Sequence, residues 1–232
     1  MIELVELLAK ILAVVCVLTM HEFCHAYAAY KCGDPTAKWH GRMTLNPAKH
    51  FDPVGIILFA FAGFGWAKPV PINPNNFKNY RWGSFWTSVA GVLCNFLFAF
   101  LCYPILVWAN EWFIELELEQ ITYGHYFALF LPLFLYNFSL NFCAFNLLPI
   151  FPLDGFRIVD SFDTKRGKVY CFLRDYGQRI LLGLIVLGLL SEFFVNFTGN
   201  YVFGYLDILG MVMGYFVNIL SKPIVWIWGL IL

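Results

Sequence analysis

Residues 19–26 read Thr19-Met20-His21-Glu22-Phe23-Cys24-His25-Ala26, a stretch that places two imidazoles and a carboxylate inside an otherwise apolar helix. At about 3.6 residues per turn, His21 and His25 lie on one helix face, at the spacing that lets two ring nitrogens bind one zinc ion. Glu22 lies beside them, where a general base acts on a metal-bound water. A soluble helix can carry this HExxH pattern on a solvated face. Here the preceding run is almost wholly apolar, and an ionisable group at membrane depth costs roughly 2.5 to 3.5 kcal/mol, so the pattern predicts a metal site.

The composition is that of an integral membrane protein. Of the 232 residues, 60% are hydrophobic and 13% are charged, and the mean hydropathy is +0.69, which is too apolar for a soluble domain of this length. The net charge is zero without long runs of like charge, so we expect contact with the lipid bilayer and no nucleic-acid partner. The seven cysteines form no CxxC pair, which predicts reduced, structural thiols. The first apolar run lacks the basic start and the cleavage site of a signal peptide, so we expect it to be retained.

Five apolar runs approach the ~20 residues that cross a bilayer as a helix. They cover about residues 7–30, 84–108, 126–148, 180–197 and 201–220. Basic side chains concentrate in 31–50 and 157–179, whereas the acidic side chains of 110–120 have no basic partner nearby. By the positive-inside rule the two basic segments are cytoplasmic and the acidic loop is external. The sequence therefore predicts an all-α, multi-pass membrane protein with an external N-terminus and a cytoplasmic C-terminus.

A shorter apolar run, residues 54–66, is interrupted by three glycines and flanked by basic residues on both sides. Thirteen residues are few for a crossing, and a span would leave one basic flank outside, so a re-entrant or interfacial excursion is the better interpretation. The alternating prolines that follow, Pro69, Pro71 and Pro74, exclude a helix and favour an extended edge segment. A surface loop with an apolar stretch is the alternative.

Asp154 is the candidate third metal ligand. Pro149 and Pro152 break the helix before it, at the inner end of the predicted third span. The span that carries the histidine pair also runs inward, so these groups can meet toward the cytoplasmic side. Two histidines and one carboxylate, with a fourth position left for water, are the donor set of a catalytic zinc site. Without the histidine pair, Asp154 would be interpreted as a residue of a helix-terminating turn.

Four motifs follow one another in the first 160 residues. They are His21-Glu22-Phe23-Cys24-His25; Gly41-Arg42-Met43-Thr44-Leu45-Asn46-Pro47 with His50, Asp52 and Pro53; Gly65-Trp66-Ala67-Lys68-Pro69-Val70-Pro71; and Asn146-Leu147-Leu148-Pro149 leading to Pro152-Leu153-Asp154-Gly155. With these motifs the sequence resembles the site-2 protease family of intramembrane zinc metalloproteases, in particular its compact bacterial members without a PDZ or CBS domain. One motif departs: the family often has Gly-Pro-Leu-Ala-Asn where this chain has Gly91-Val92-Leu93-Cys94-Asn95, without the proline.

The resemblance implies an intramembrane protease that hydrolyses membrane-spanning substrates in the bacterial cytoplasmic membrane. One zinc ion would be bound by His21, His25 and Asp154, within the membrane toward the cytoplasmic side. Glu22 would be the general base and acid, and Asn146 would help to hold the substrate or its oxyanion.

The resemblance also implies a membrane re-entrant β-type loop that presents the substrate. Its members here are Lys68, Pro69, Val70 and Pro71, and the same comparison gives Asn95 a polar role at the substrate site. Residues 1–160 would form the membrane-embedded metalloprotease core, and residues 161–232 a basic cytoplasmic loop with two further spans, within a single domain overall.

Two other classes of protein compete with a protease. A metal-binding or metal-transporting membrane protein also places histidine and aspartate in spans, but it predicts a path of polar residues through the later helices, where few occur beyond Asp160. A catalytically inactive adaptor is expected to lose Glu22, which is present.

Overall fold

The computed structural model describes residues 1–52, 54–55, 67–163 and 165–232, and within these ranges it is helical. The α-helices are α1 Ile2–Lys31, α2 Thr36–Trp39, α3 Tyr80–Glu115, α4 Tyr123–Asn146, α5 Asp154–Phe162, α6 Lys168–Thr198 and α7 Ile208–Trp228, with short 3-10 turns at Pro47–Lys49, Pro74–Asn76, Leu118–Gln120 and Tyr201–Leu206. No strand is assigned in the described ranges, where one isolated antiparallel bridge joins Phe51 and Ala67. The all-helical class predicted from the sequence is confirmed for this part of the chain.

Within the described ranges, four helices are long and apolar enough to cross a membrane: α3, α4, α6 and α7. The protein is therefore a membrane protein by the length and composition of its helices. The sequence predicted five spans, and α1, expected to be the first, is not among these four; it has 30 residues and five charged side chains, Glu3, Glu6, Lys10, Glu22 and Lys31. The predicted excursion at 54–66 lies, apart from Val54 and Gly55, outside the described residues.

The C-terminal helix starts later than the sequence predicted. Residues 201–206 form a 3-10 turn, and α7 begins only at Ile208 because the side chain of Asp207 accepts a hydrogen bond from the Gly210 N–H at 2.8 Å, which caps the first helical turn. The helix then continues through Pro223 to Trp228 rather than ending near residue 220. The predicted basic loop at 157–179 is also largely helical, since α5 runs to Phe162 and α6 begins at Lys168.

Helices α1, α3 and α4 pack against one another and form the scaffold of the site, and α5 packs on α3. Small side chains allow α1 to approach its neighbours closely: its fully buried residues include Ala9, Ala13, Ala26 and Ala29. A second apolar cluster joins α3 and α4 to α7 through Ala99, Cys102, Tyr136, Leu140 and Ile224. On α1 itself, His21 and His25 are buried together with these alanines.

Asp34 fixes residues 68–76, here called the proline-rich segment, to the end of α1. Gly33, with a φ of +111° that glycine adopts readily, turns the chain so that Asp34 is fully buried. Its carboxylate accepts hydrogen bonds from the Asn73 N–H at 2.7 Å, from Asn76 Nδ2 at 2.8 Å and from the Thr36 N–H at 3.1 Å. Burial alone would raise the pKa of Asp34, but these hydrogen bonds outweigh it and hold the pKa below its usual value.

Candidate metal centre

Three buried side chains from two helices converge on one point. His21 and His25 lie one turn apart on α1, and Asp154 is the first residue of α5; their exposed fractions are 5%, 6% and 5%. Asp154 Oδ2 lies 3.0 Å from His25 Nε2 and 3.4 Å from His21 Nε2, and the two Nε2 atoms are 2.9 Å apart. The arrangement is one that can bind a metal ion.

His25 is oriented by the backbone of α3. Its Nδ1 lies 2.7 Å from the carbonyl oxygen of Thr87. Because a carbonyl oxygen only accepts, Nδ1 carries the proton and donates it, which leaves the Nε2 lone pair directed at Asp154. A metal-ligating histidine commonly donates its other ring N–H in this way.

His21 is oriented by Asn95, which is fully buried in α3. The Asn95 amide group lies 3.1 Å from His21 Nδ1, with Nδ2 facing the ring and the buried Oδ1 without a hydrogen-bond partner among the described residues. Amide oxygen and nitrogen are assigned from the hydrogen-bond network. When the oxygen and nitrogen of the Asn95 amide are exchanged, Asn95 Oδ1 accepts a hydrogen bond from His21 Nδ1–H and is no longer without a partner. The Nε2 lone pair of His21 then also points to Asp154.

The donor set fits a zinc ion. Two imidazole lone pairs and one carboxylate oxygen then face one another in a buried site, and Asp154 Oδ2 takes no hydrogen bond within the described chain. Such an arrangement is repulsive unless a cation lies between the groups. Two histidines and a carboxylate are the protein ligands of several catalytic zinc sites. The presence of one ion per chain stays a prediction.

Two residues of α3 that support the centre were not found from the sequence as functional residues. Thr87 contributes only its carbonyl oxygen, which no side-chain pattern signals. Gly91 faces both histidines: a Cβ atom there would overlap His25 Nε2 and His21 Cε1. Gly91 therefore lets α3 approach the HExxH turn, and its only sequence signal is its position at the start of the Gly91–Asn95 stretch.

A second close approach places Asp154. A Cβ atom on Gly155 would overlap the carbonyl oxygens of Leu147 and Leu148, at the end of α4. The absence of a side chain lets the start of α5 pack against the chain that leaves α4 at Asn146. Asp154 is thereby directed at α1, and its acidic group in the first turn of α5 also suits the positive end of the helix dipole.

Glu22 is held by the proline-rich segment. Its Oε2 accepts a hydrogen bond from the Val70 N–H at 2.9 Å. Lys68 is bound on the same segment: its N–H donates to the carbonyl oxygen of His50 at 2.9 Å, and its own carbonyl accepts from Arg42 Nη2 at 2.6 Å. Because proline has no N–H, residues 68–71 contain two backbone donors, and both are used inside the protein.

The remaining predicted site residues lie as follows. Asn146 is the last residue of α4 and half-buried, and its Nδ2 donates to the carbonyl oxygen of Phe142 at 3.0 Å; its oxyanion role stays a prediction. Lys68 and Pro69 are exposed, whereas Val70 is buried. Asn95, expected at the substrate, contacts His21 instead, and a substrate contact by Asn95 stays a prediction.

The contact between Asn95 and His21 is testable through zinc affinity. We expect Asn95→Leu to weaken zinc binding about 10- to 100-fold, the usual effect of removing a group that orients a ligating histidine. Asn95→Asp keeps an acceptor oxygen for His21 Nδ1–H and is expected to retain most of the affinity. Competition with a chromophoric chelator measures the Kd, and Asn141→Leu, on an exposed position of α4, is the control. Equal zinc affinity in Asn95→Leu and wild type would show that Asn95 does not orient His21.

Comparison with curated proteins gives two bacterial relatives. The protein of Bacillus subtilis named "Putative zinc metalloprotease YwhC" is 46% identical over 145 residues, which are 62% of this chain and 64% of the relative. The protein of Mycolicibacterium smegmatis named "Putative zinc metalloprotease Rip2" is 25% identical over 183 residues, 76% of this chain and 66% of the relative. The chain thus spans slightly less than two thirds of the length of each relative.

No protein-family model matches the chain, and no solved structure gives a significant match. The two relatives carry names that agree with the buried His21, His25 and Asp154 group and with the four motifs of the sequence. The chain is homologous to bacterial proteins with these metalloprotease names, which is consistent with the site-2 protease-like family that its motifs resemble.

Proposed function

We propose that the protein is an intramembrane zinc metalloprotease that hydrolyses peptide bonds of membrane-spanning substrates. The observation that carries this proposal is the buried convergence of His21, His25 and Asp154 beside Glu22, in a chain whose described part contains four apolar helices of membrane-spanning length. The names of the bacterial relatives support a zinc metalloprotease, and the apolar helices that pack beside the site support cleavage within a membrane.

Glu22 performs the proton transfers in this proposal. A bound zinc ion supplies Lewis acidity, which lowers the pKa of water toward about 7 and polarises the scissile carbonyl group. Glu22 accepts the proton of the attacking water and returns it to the leaving amine. The Val70 N–H fixes the position of its carboxylate, while Thr87 and Asn95 fix the two imidazoles. The amide of Asn146 is proposed to bind the oxyanion, a role for which an N–H donor is needed.

The substrate enters as an extended segment. A peptide bond within a helix is shielded by side chains and hydrogen bonds, so a transmembrane helix must unwind before water can attack it. The segment Lys68–Pro71 is proposed to accept the unwound chain by strand addition. Pro69 and Pro71 have carbonyl oxygens but no N–H. Along the edge that these prolines present, the backbone N–H groups of the substrate must therefore donate hydrogen bonds to the carbonyl oxygens of the segment.

The topology belongs to the same proposal. We place the N-terminus outside and the C-terminus in the cytoplasm of a bacterial cytoplasmic membrane, with one zinc ion toward the cytoplasmic side. The basic side chains of residues 31–50 and 157–179 support this orientation by the positive-inside rule. The excursion at 54–66 remains part of the proposal because the segments on either side of it approach each other at the bridge between Phe51 and Ala67.

Metal removal tests the proposed activity directly. Purified protein in liposomes, given a panel of synthetic transmembrane peptides, is expected to cleave at least one of them, to lose this activity when a chelator removes zinc, and to regain it with about one equivalent of zinc. Product mass spectrometry identifies the bond. The competing class, a metal transporter, predicts chelator-sensitive zinc flux into the liposomes without any peptide cleavage, and that result would contradict the proposal.

The hydrogen bond between Val70 and Glu22 leads to a second test. Val70→Pro removes this donor, and we expect turnover to fall roughly 10- to 100-fold with normal zinc content, because a hydrogen bond to a charged group contributes about 1.5 to 3 kcal/mol. Val70→Ala keeps the N–H and is the matched control, expected within a few-fold of wild type. Equal losses in the two variants would attribute the effect to the valine side chain rather than to the donor.

A further inference from the structure

A cavity of about 400 Å³ lies directly beside the metal centre. Two of its lining residues already belong to the centre: Val70, whose N–H binds Glu22, and Thr87, whose carbonyl oxygen binds His25. The cavity is therefore adjacent both to the general base and to a metal ligand. Its volume lies within the range of pockets that enclose small ligands.

One wall of the cavity is a row of hydroxyl groups on α3. Tyr80, Ser84, Thr87 and Ser88 line it, and their spacing of three or four residues places them on one helix face. Thr87 is only 4% exposed, and its Oγ1 is buried without a hydrogen-bond partner in the described parts of the chain. A buried hydroxyl without a partner is costly, so this wall is suited to a ligand that offers hydrogen bonds.

A second part of the lining, here called the aromatic wall, consists of aromatic side chains. Phe151 and Phe156 line the cavity with their rings edge to face at 5.8 Å, and Phe156 stacks on Tyr170 at 5.2 Å. Phe156 and Tyr170 are buried, so this wall is held rigidly by its own packing. The aromatic wall is suited to an apolar side chain. The lining also includes the charged side chains of Arg157, Asp160 and Arg174; Asp160 accepts a hydrogen bond from the Tyr170 hydroxyl group, and Arg174 pairs with Asp175.

We propose that this cavity is the specificity pocket for substrate residues next to the scissile bond, and that it selects a large apolar side chain. The proposal rests on the proposed protease function. An unwound peptide at membrane depth brings apolar side chains together with backbone groups that must find hydrogen-bond partners. The aromatic wall takes the side chain, and the hydroxyl groups of Ser84 and Thr87 bind the backbone. A ligand that was only apolar would leave the hydroxyl wall unsatisfied.

Variants that change the pocket volume in opposite directions test this assignment. Ser84→Trp fills the cavity from the hydroxyl wall, and Phe151→Ala enlarges it from the aromatic wall. The probes are synthetic transmembrane peptides of one host sequence, each with Gly, Ala, Leu or Phe at a single position near the cleaved bond. Zinc content, measured in every preparation, reports whether the metal centre is intact.

We expect wild type to cleave peptides with Leu or Phe at one position with the highest kcat/KM. In Ser84→Trp, the ratio of kcat/KM values between peptides should shift toward those with Ala or Gly by roughly tenfold or more. In Phe151→Ala, it should shift toward the peptide with Phe. Either shift in a zinc-replete variant supports the pocket. Unchanged ratios in both zinc-replete variants would overturn the pocket assignment while leaving the protease function intact. A loss of zinc from both variants would also overturn the pocket assignment, because the cavity would then be part of the structural support of the metal centre. A wild-type protein that cleaves no peptide would overturn the proposed function and the pocket with it.

Discussion

Glu22→Gln abolishes peptide-bond hydrolysis while the protein folds and keeps its zinc. Glutamine has nearly the same shape, and its amide can still accept the hydrogen bond from the Val70 N–H, but it cannot take the proton of the attacking water. General acid–base catalysis by a positioned side chain contributes about 100- to 10,000-fold, so we expect a rate loss of that size. Turnover of a transmembrane peptide and zinc content per chain are the two measurements.

Glu3→Gln, in the exposed first turn of the same helix, is the matched control and is expected to keep wild-type turnover. Wild-type turnover in Glu22→Gln would remove Glu22 from the mechanism. Loss of zinc together with activity would assign Glu22 a ligand or structural role instead, since the proposal treats it as a base that does not bind the metal.

The spacing of His21 and His25 is the part of the site that the sequence predicts best. Helical geometry alone places both rings on one face, and the known donor sets of zinc enzymes then direct attention to a carboxylate at a helix break. The structure brings Asp154 to that position. Local periodicity is enough to place His21 and His25 on one face, whereas the meeting of Asp154 with them also depends on the close approach at Gly155. The role of the three residues as metal ligands stays a prediction.

The supporting groups could not be predicted because they act through the backbone or through the absence of a side chain. Thr87 uses its carbonyl oxygen, Gly91 provides space, and Val70 uses its N–H. Such contributions depend on how α3 and the proline-rich segment approach α1, which periodicity does not report. The sequence predicted the extended character of Lys68–Pro71 from its prolines, but it did not predict that the Val70 donor is used by Glu22.

The starts of helices are also less predictable from the sequence than the apolar runs that contain them. The run from residue 201 is apolar enough to be interpreted as part of a span, yet Asp207 caps a helix that starts at Ile208. Hydropathy reports the average polarity of a window, whereas a helix start depends on one side chain that satisfies free N–H groups.

The contact between Glu22 and Val70 gives the proline-rich segment a second role within the proposed mechanism. The segment proposed to receive the substrate also donates a hydrogen bond to Glu22, the proposed general base, through the only N–H in Pro69-Val70-Pro71. We therefore expect any displacement of the segment by a binding peptide to be transmitted to the Glu22 carboxylate. In this proposal, substrate docking and proton transfer share one structural element.

Asp154→Asn is expected to release the metal without preventing membrane insertion. A neutral amide oxygen is a poorer ligand than a carboxylate, and the cation loses its buried counter-charge. Leaving a buried charge uncompensated costs roughly 3 to 5 kcal/mol, so zinc affinity should fall at least about 100-fold. The four apolar helices are unchanged by the substitution, and the protein should still be recovered from membranes. Zinc stoichiometry is measured in purified wild type, His25→Ala and Asp154→Asn.

Asp163→Asn is the control, because Asp163 ends the same short helix and uses its carboxylate to accept hydrogen bonds from the N–H groups of Lys165 and Arg166. An amide oxygen can still accept both, so this variant should retain zinc. Zinc loss in His25→Ala and Asp154→Asn with retention in Asp163→Asn identifies the third ligand. A full complement of zinc in Asp154→Asn would mean that another group completes the coordination, and the short Nε2–Oδ2 distances at Asp154 would then reflect only the packing of α5 against α1.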